Sequence, residues 1–139
     1  MIKRATLVAA LAVGASACGG GDSPSTLTAP TATIVTESFT GTVAVSGNDS
    51  HAFTVALSGG QVNATLTAAG PPSTIYMGLG IGSYTGSTCT LLASGSVVTP
   101  AGTTSQLSGT LNAGSYCVMV FDTGNQTTPV TYAVTVNHY

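Results

Sequence analysis

The chain has 139 residues, of which two are basic and four acidic, so charged side chains make up 4% of it, against roughly 25% in ordinary soluble proteins. Lys3 and Arg4 are the only cations, which excludes the basic footprint that nucleic acid or an anionic membrane surface demands. The length suits one domain of ordinary size, and Thr, Ser and Asn alternate with the apolar residues, so low charge does not require a membrane span.

The amino terminus has the three parts of a secretion signal over residues 1–17: "MIKR" is positive, "ATLVAALAV" (Ala5 to Val13) is apolar, and "GASA" is a small-residue cleavage zone. Nine apolar residues cannot span a bilayer, which takes about 20 in a helix. The stretch is apolar on every face, unlike an amphipathic first helix of a domain. Ala15 and Ala17 satisfy the A-x-A rule for ordinary release. "ASAC" (Ala15 to Cys18) also resembles the lipobox of bacterial lipoproteins, a family that usually has Leu where Ala15 stands. The resemblance implies that Cys18 is the lipidated first residue of the mature protein. It would then be held at the cell envelope through its lipid chains, two or more of which anchor stably. Ordinary cleavage would instead give a secreted protein.

Export places the chain in an oxidising compartment, where cysteines tend to pair, and three is an odd number. With Cys18 lipidated, Cys89 and Cys117 are left as one disulfide. Zinc is the competitor, but neither cysteine lies in a C-x-x-C pair and no His is near them in sequence. The cysteines therefore imply no metal and no cofactor.

Residues 18–36 continue as "GGGDSPSTLTAPTATIVT" after Cys18, a Gly, Ser, Thr and Pro-rich flexible tether with a reach of roughly 20 to 25 Å. From Glu37 the period becomes two. "ESFTGTVAV" puts Phe39, Gly41, Val43 and Val45 on one face, and "GNDS" predicts a turn at Asn48-Asp49. "HAFTVALS" groups Phe53, Val55 and Leu57. Gly59-Gly60 predicts a hairpin into "QVNATLTAA", with Val62, Ala64, Leu66 and Ala68 inward. After Pro71-Pro72, "STIYMGLGIGSY" alternates Ile75, Met77, Leu79 and Ile81 with Tyr76 and three glycines. "TCTLLAS", "SVVT" and "SQLSGTL" are shorter strands, followed by "SYCVMVFD" and by "PVTYAVTVNHY", where Val130, Tyr132, Val134 and Val136 share a face. No helical pattern and no fixed-period repeat follows residue 36. Eight or nine short strands predict an all-β chain with a single antiparallel β-sandwich over residues 37–139.

Candidate chemistry is sparse. "GLGIG" (78–82) lacks the sixth-position glycine and following helix of a dinucleotide loop; it reads as a strand whose bare face admits a close crossing of another backbone or loop. "GDS" (21–23) lies in the tether, without the rigid support a nucleophile needs, and no G-x-S-x-G occurs. Asp49, Ser50 and His51 invite a triad, but neighbours in sequence rarely converge, and a turn followed by an exposed strand start accounts for them. Glu37, Asp49 and Asp122 are not spaced as a glycosidase pair. "DTGN" (122–125) is a plain turn or a weak calcium site.

"SGTLNAGSYCVMVFDTGNQTTPVTYAVTV" (Ser108 to Val136) resembles the closing strands of bacterial pre-peptidase C-terminal domains, and "ESFTGTVAVSGNDSHAFTVALSGGQVNATLTA" resembles their opening. The resemblance covers residues 37–139 and implies a jelly-roll-like sandwich with Gly114, Tyr116, Val118 and Val120 inward. Many relatives carry an Asp-x-Asp-like pair in the middle strand, and "TIYMGLGIG" has none, which counts against the calcium behaviour of collagen-binding relatives. The resulting expectation is a non-enzymatic envelope lipoprotein that displays a binding or adhesion module for a glycan or extracellular protein, with no nucleic-acid partner. The alternatives are a small secreted hydrolase using His51 with a Ser and Asp122, and an accessory to a separately encoded exoenzyme.

Overall fold

The structure, a computed structural model, describes residues 32–56 and 59–139. The signal region, Cys18, tether residues 19–31 and Leu57 lie outside the described residues; the last two residues assigned to the tether, Val35 and Thr36, belong to the first strand, so the sandwich begins before Glu37. Within them the chain forms eight strands and no helix: β1 (Val35–Val43), β2 (Asn48–Val55), β3 (Gly60–Gly70), β4 (Met77–Thr85), β5 (Thr88–Thr99), β6 (Leu107–Leu111), β7 (Gly114–Phe121) and β8 (Val130–His138). They build two antiparallel four-stranded sheets, ordered β1-β8-β3-β6 and β2-β7-β4-β5. This is a β-sandwich with the strand order of a jelly roll.

Every connection except the β4–β5 hairpin carries the chain from one sheet to the other. The hairpin predicted at Gly59-Gly60 is therefore a crossing between sheets, with Gly59 at φ 74°. An alternating pattern states which face of a strand is apolar but not which strand it pairs with. The turn predicted at Asn48-Asp49 lies earlier, where Gly47 N–H donates to the Ala44 carbonyl at 2.8 Å and Ser46 takes φ 59°. Val45 is consequently a turn residue, 45% exposed, rather than an inward one.

The two inner faces meet in a core that includes Val62, Leu66, Met77, Leu79, Val118 and Val136, all 0 to 1% exposed. Each such side chain contributes about 1.5 to 3 kcal/mol on burial. The faces predicted for β4 and β8 agree: Ile75, Met77, Leu79 and Ile81 are buried, as are Val130, Tyr132, Val134 and Val136. In β3 the register shifts between Leu66 and Ala68, and the extra residue reverses the alternation. Ala69 faces the core and Ala68 is exposed. The two strands "TCTLLAS" and "SVVT" are one strand, β5, in which residues 92–95 are inserted opposite Ile81.

The three glycines of "GLGIG" face outward and are covered by their neighbours. A side chain on Gly78 would collide with the Phe121 ring, and one on Gly80 with Leu91. One on Gly82 would strike the Thr90 carbonyl and lie 3.0 Å from the Cys117 sulfur. The cover is thus a side chain at Gly78, the Leu91 side chain with the Gly95 carbonyl at Gly80, and chiefly the Thr90 backbone at Gly82. Because β5 folds closely over β4 there, Cys89 on β5 comes within 5.8 Å (Cα–Cα) of Cys117 on β7, and the two are joined in a disulfide.

Candidate functional site

Glu37, Asp49, His51, Tyr132 and His138 gather where β1 and β2, consecutive strands in different sheets, face each other. Asp49 and His51 are two residues apart on β2, so both point to the inner face with Phe53 and Val55. β1 offers Glu37, Phe39 and Gly41 at the same spacing, and β8 supplies Tyr132 and His138. The turn-and-exposed-strand account of Asp49 and His51 is corrected: strand alternation, not sequence adjacency, brings them together.

Tyr132 links the pair. Its hydroxyl donates to Asp49 Oδ2 at 2.9 Å and lies 2.9 Å from His51 Nε2. The phenol has one proton and the carboxylate can only accept, so His51 Nε2 carries the hydrogen donated to the Tyr132 oxygen. Asp49 approaches His51 directly only at 3.9 Å. Phe39 stacks on the imidazole, with ring centroids 4.8 Å apart and planes 7° from parallel. Gly41 makes the cluster fit, because a side chain there would collide with Asp49 Oδ2 and crowd the Tyr132 hydroxyl. Burial first, then the hydrogen bond and negative charge of Asp49, raises the Tyr132 phenol above its usual value near 10.

Farther along the seam, His138 Nε2 lies 2.8 Å from Glu37 Oε1. His138 is 3% exposed, its ring packs 5.2 Å from that of Phe53, and its Nδ1 is buried without a hydrogen-bond partner among the described residues. Asp122 is used differently. Its Oδ2 accepts from Ser46 N–H at 2.7 Å, and its Oδ1 accepts from the N–H groups of Gly124, Asn125 and Gln126. The Ser46 contact is the largest cause that holds the Asp122 carboxyl below the usual carboxylate range; desolvation opposes it, and the other three N–H groups add to it. A carboxylate surrounded by donors staples a loop, and "DTGN" is a turn of that kind.

The three sandwich carboxylates are thus engaged separately, and no pair is arranged for glycoside hydrolysis. The structure does not bring Asp122 to His51: His51 pairs with Val118 on β7, four residues short of Asp122. None of the hydrogen bonds of His51 among the described residues reaches a Ser or Thr hydroxyl. Surface depressions of about 460 Å³ beside Gly70 and Pro71, and about 230 Å³ between β5 and β6, are lined by residues other than His51. Among the described residues no cluster of three or more His, Cys, Asp or Glu could hold a metal ion, and no helix is long and apolar enough to cross a membrane. Of the residues singled out in the sequence, Cys89 and Cys117 are together, and Cys18 is outside the described residues.

Sequence reasoning missed Tyr132 as the centre of a polar cluster, because its place in an alternating apolar run marks it as core. It also missed the Glu37–His138 pair, 101 residues apart in sequence. Compared with known proteins, the chain matches no family model and no curated protein.

Proposed function

We propose that this chain is a non-enzymatic lipoprotein of the bacterial cell envelope that displays its sandwich as a binding, adhesion or accessory module. The observation carrying this reading is that each of the three carboxylates of the sandwich is engaged within the fold: Asp49 by Tyr132, Glu37 by His138, and Asp122 by four backbone N–H groups. The resemblance of "ASAC" to a lipobox supports the anchor. The likeness of residues 37–139 to pre-peptidase C-terminal modules, which include collagen binders, supports the binding role.

The anchor is tested by Cys18→Ser, which is expected to move the protein from the detergent phase to the aqueous phase in phase partitioning; unchanged partitioning refutes it. The binding role is tested by presenting the full chain to an array of glycans and matrix proteins, where retention by none ends the reading. The alternative of a secreted hydrolase predicts turnover of ester or peptide substrates that disappears in His51→Ala; among the described residues His51 is hydrogen-bonded to Tyr132 and to no Ser or Thr hydroxyl.

A further inference from the structure

The outer faces of the two sheets differ in chemistry. The first carries hydroxyls and amides, as in the Thr36–Asn137 and Ser38–Thr135 pairs that bridge β1 and β8. The second has an apolar centre. At alternate positions along β4 the outward residues read Tyr76 (just before the strand), Gly78, Gly80, Gly82 and Tyr84. Between the tyrosines the Phe121 ring and Leu91 lie over the glycines. Val98, paired with Gly78, is 56% exposed, and Tyr76 is 53% exposed.

The result is an apolar track that runs from Tyr76 past Phe121 and Leu91 to Tyr84 and passes the Thr90 carbonyl and the Cys117 sulfur at Gly82. Eight residues separate the tyrosines, which at about 3.3 Å per residue is roughly 26 Å, and the three strands β7, β4 and β5 are roughly 10 Å across. An area of roughly 260 Å² is about a third of the 800 Å² per partner that a stable protein interface buries, so the track suits a chain laid lengthwise better than a second folded domain. The outward positions of β2, β7, β4 and β5 hold no charged side chain, and the only cations in the sequence are Lys3 and Arg4. An anionic polymer would find no counter-charge there. An extended peptide binds by adding to a sheet edge, and the centre of a sheet offers side chains only.

We propose that this face binds a neutral, linear polysaccharide. The C–H faces of its sugar rings would rest on Tyr76, Phe121 and Tyr84, and its hydroxyls would meet Asn48 and Ser50 on one flank and Ser96 on the other. The inference rests on the binding-module reading and names the ligand class and the surface for it.

Affinity electrophoresis of the full chain, in non-denaturing detergent, through gels containing hydroxyethylcellulose, soluble xylan or anionic polygalacturonate tests the proposal. The expected result is retardation by at least one neutral polymer and none by polygalacturonate. Tyr76→Ala and Tyr84→Ala should each weaken the interaction about fivefold, the size of one aromatic contact, without lowering the melting temperature. Thr40→Ala, on the outer face of the first sheet, should change nothing. Retardation by polygalacturonate alone, or full binding by the Tyr76→Ala/Tyr84→Ala double variant, overturns the proposal. Retention of the chain by gelatin with no glycan bound overturns it while leaving the binding-module reading intact; the absence of every ligand ends both.

Discussion

The Cys89–Cys117 bond lends itself to a quantitative test because its loop length is known. The cysteines are 28 residues apart, and in the chain-entropy model closing a loop of that size takes about 12 cal/mol/K from the unfolded chain, equivalent to about 3.6 kcal/mol at 25 °C. For a domain of roughly 105 residues this corresponds to a melting temperature lower by about 16 °C. The perturbation is Cys89→Ala/Cys117→Ala, with the reduced parent protein as a second route to the open chain. Ala is preferred to Ser because Cys117 is 0% exposed and a hydroxyl there would be desolvated. Urea titration followed by circular dichroism should show the midpoint falling and the slope rising, since the unlinked chain exposes more surface when it unfolds. A loss below about 1 kcal/mol in both forms would refute the view that the bond acts on the unfolded chain. Two free thiols in unreduced protein by mass spectrometry would refute the bond itself.

Tyr132→Phe deprives Asp49 and His51 of their shared partner and should cost about 1 to 3 kcal/mol in urea unfolding at neutral pH. The raised phenol also sets a pH dependence: its contribution is complete below the unfolded value near 10 and is lost as pH rises through the higher folded value, so the parent should lose stability above about pH 10 more steeply than the variant. Asp122→Asn should act at the other end of the scale. The depressed carboxyl stabilises the fold above its unfolded value near 3.8 and stops doing so as pH falls through its folded value, so melting curves of parent and variant should differ at neutral pH and converge in strong acid. Gly78→Ala places a methyl against the Phe121 ring and should destabilise by about 1 to 3 kcal/mol; combining it with Phe121→Ala should recover part of that loss relative to the sum of the single changes, as a double-mutant cycle would measure.

Alternation along single strands is legible in the amino-acid sequence alone. It names the buried residues of β4 and β8 because side chains on a strand change face at every residue, and that geometry is local. It fails where one residue is added, at Thr67 in β3, because a bulge leaves no mark in a run of small residues. The strand count is ambiguous by one for the same reason, since the insertion at residues 92–95 looks like a turn between two strands. The pairing of Cys89 with Cys117 follows from the odd number of cysteines once Cys18 is assigned elsewhere, whichever strands carry them.

Partnership between distant segments lies beyond that pattern. Which sheet each strand joins, and hence the jelly-roll order, depends on contacts between segments as far apart as β1 and β8, and every apolar strand face satisfies the same alternation. The glycines of "GLGIG" are visible as a bare face, but Phe121, which fills the space over Gly78, comes from a neighbouring strand 43 residues later. Tyr132 meets Asp49 and His51 only because β8 in one sheet and β2 in the other face each other across the seam. A strand's inward face is set by its own backbone, whereas the group it meets is set by the packing of the whole chain.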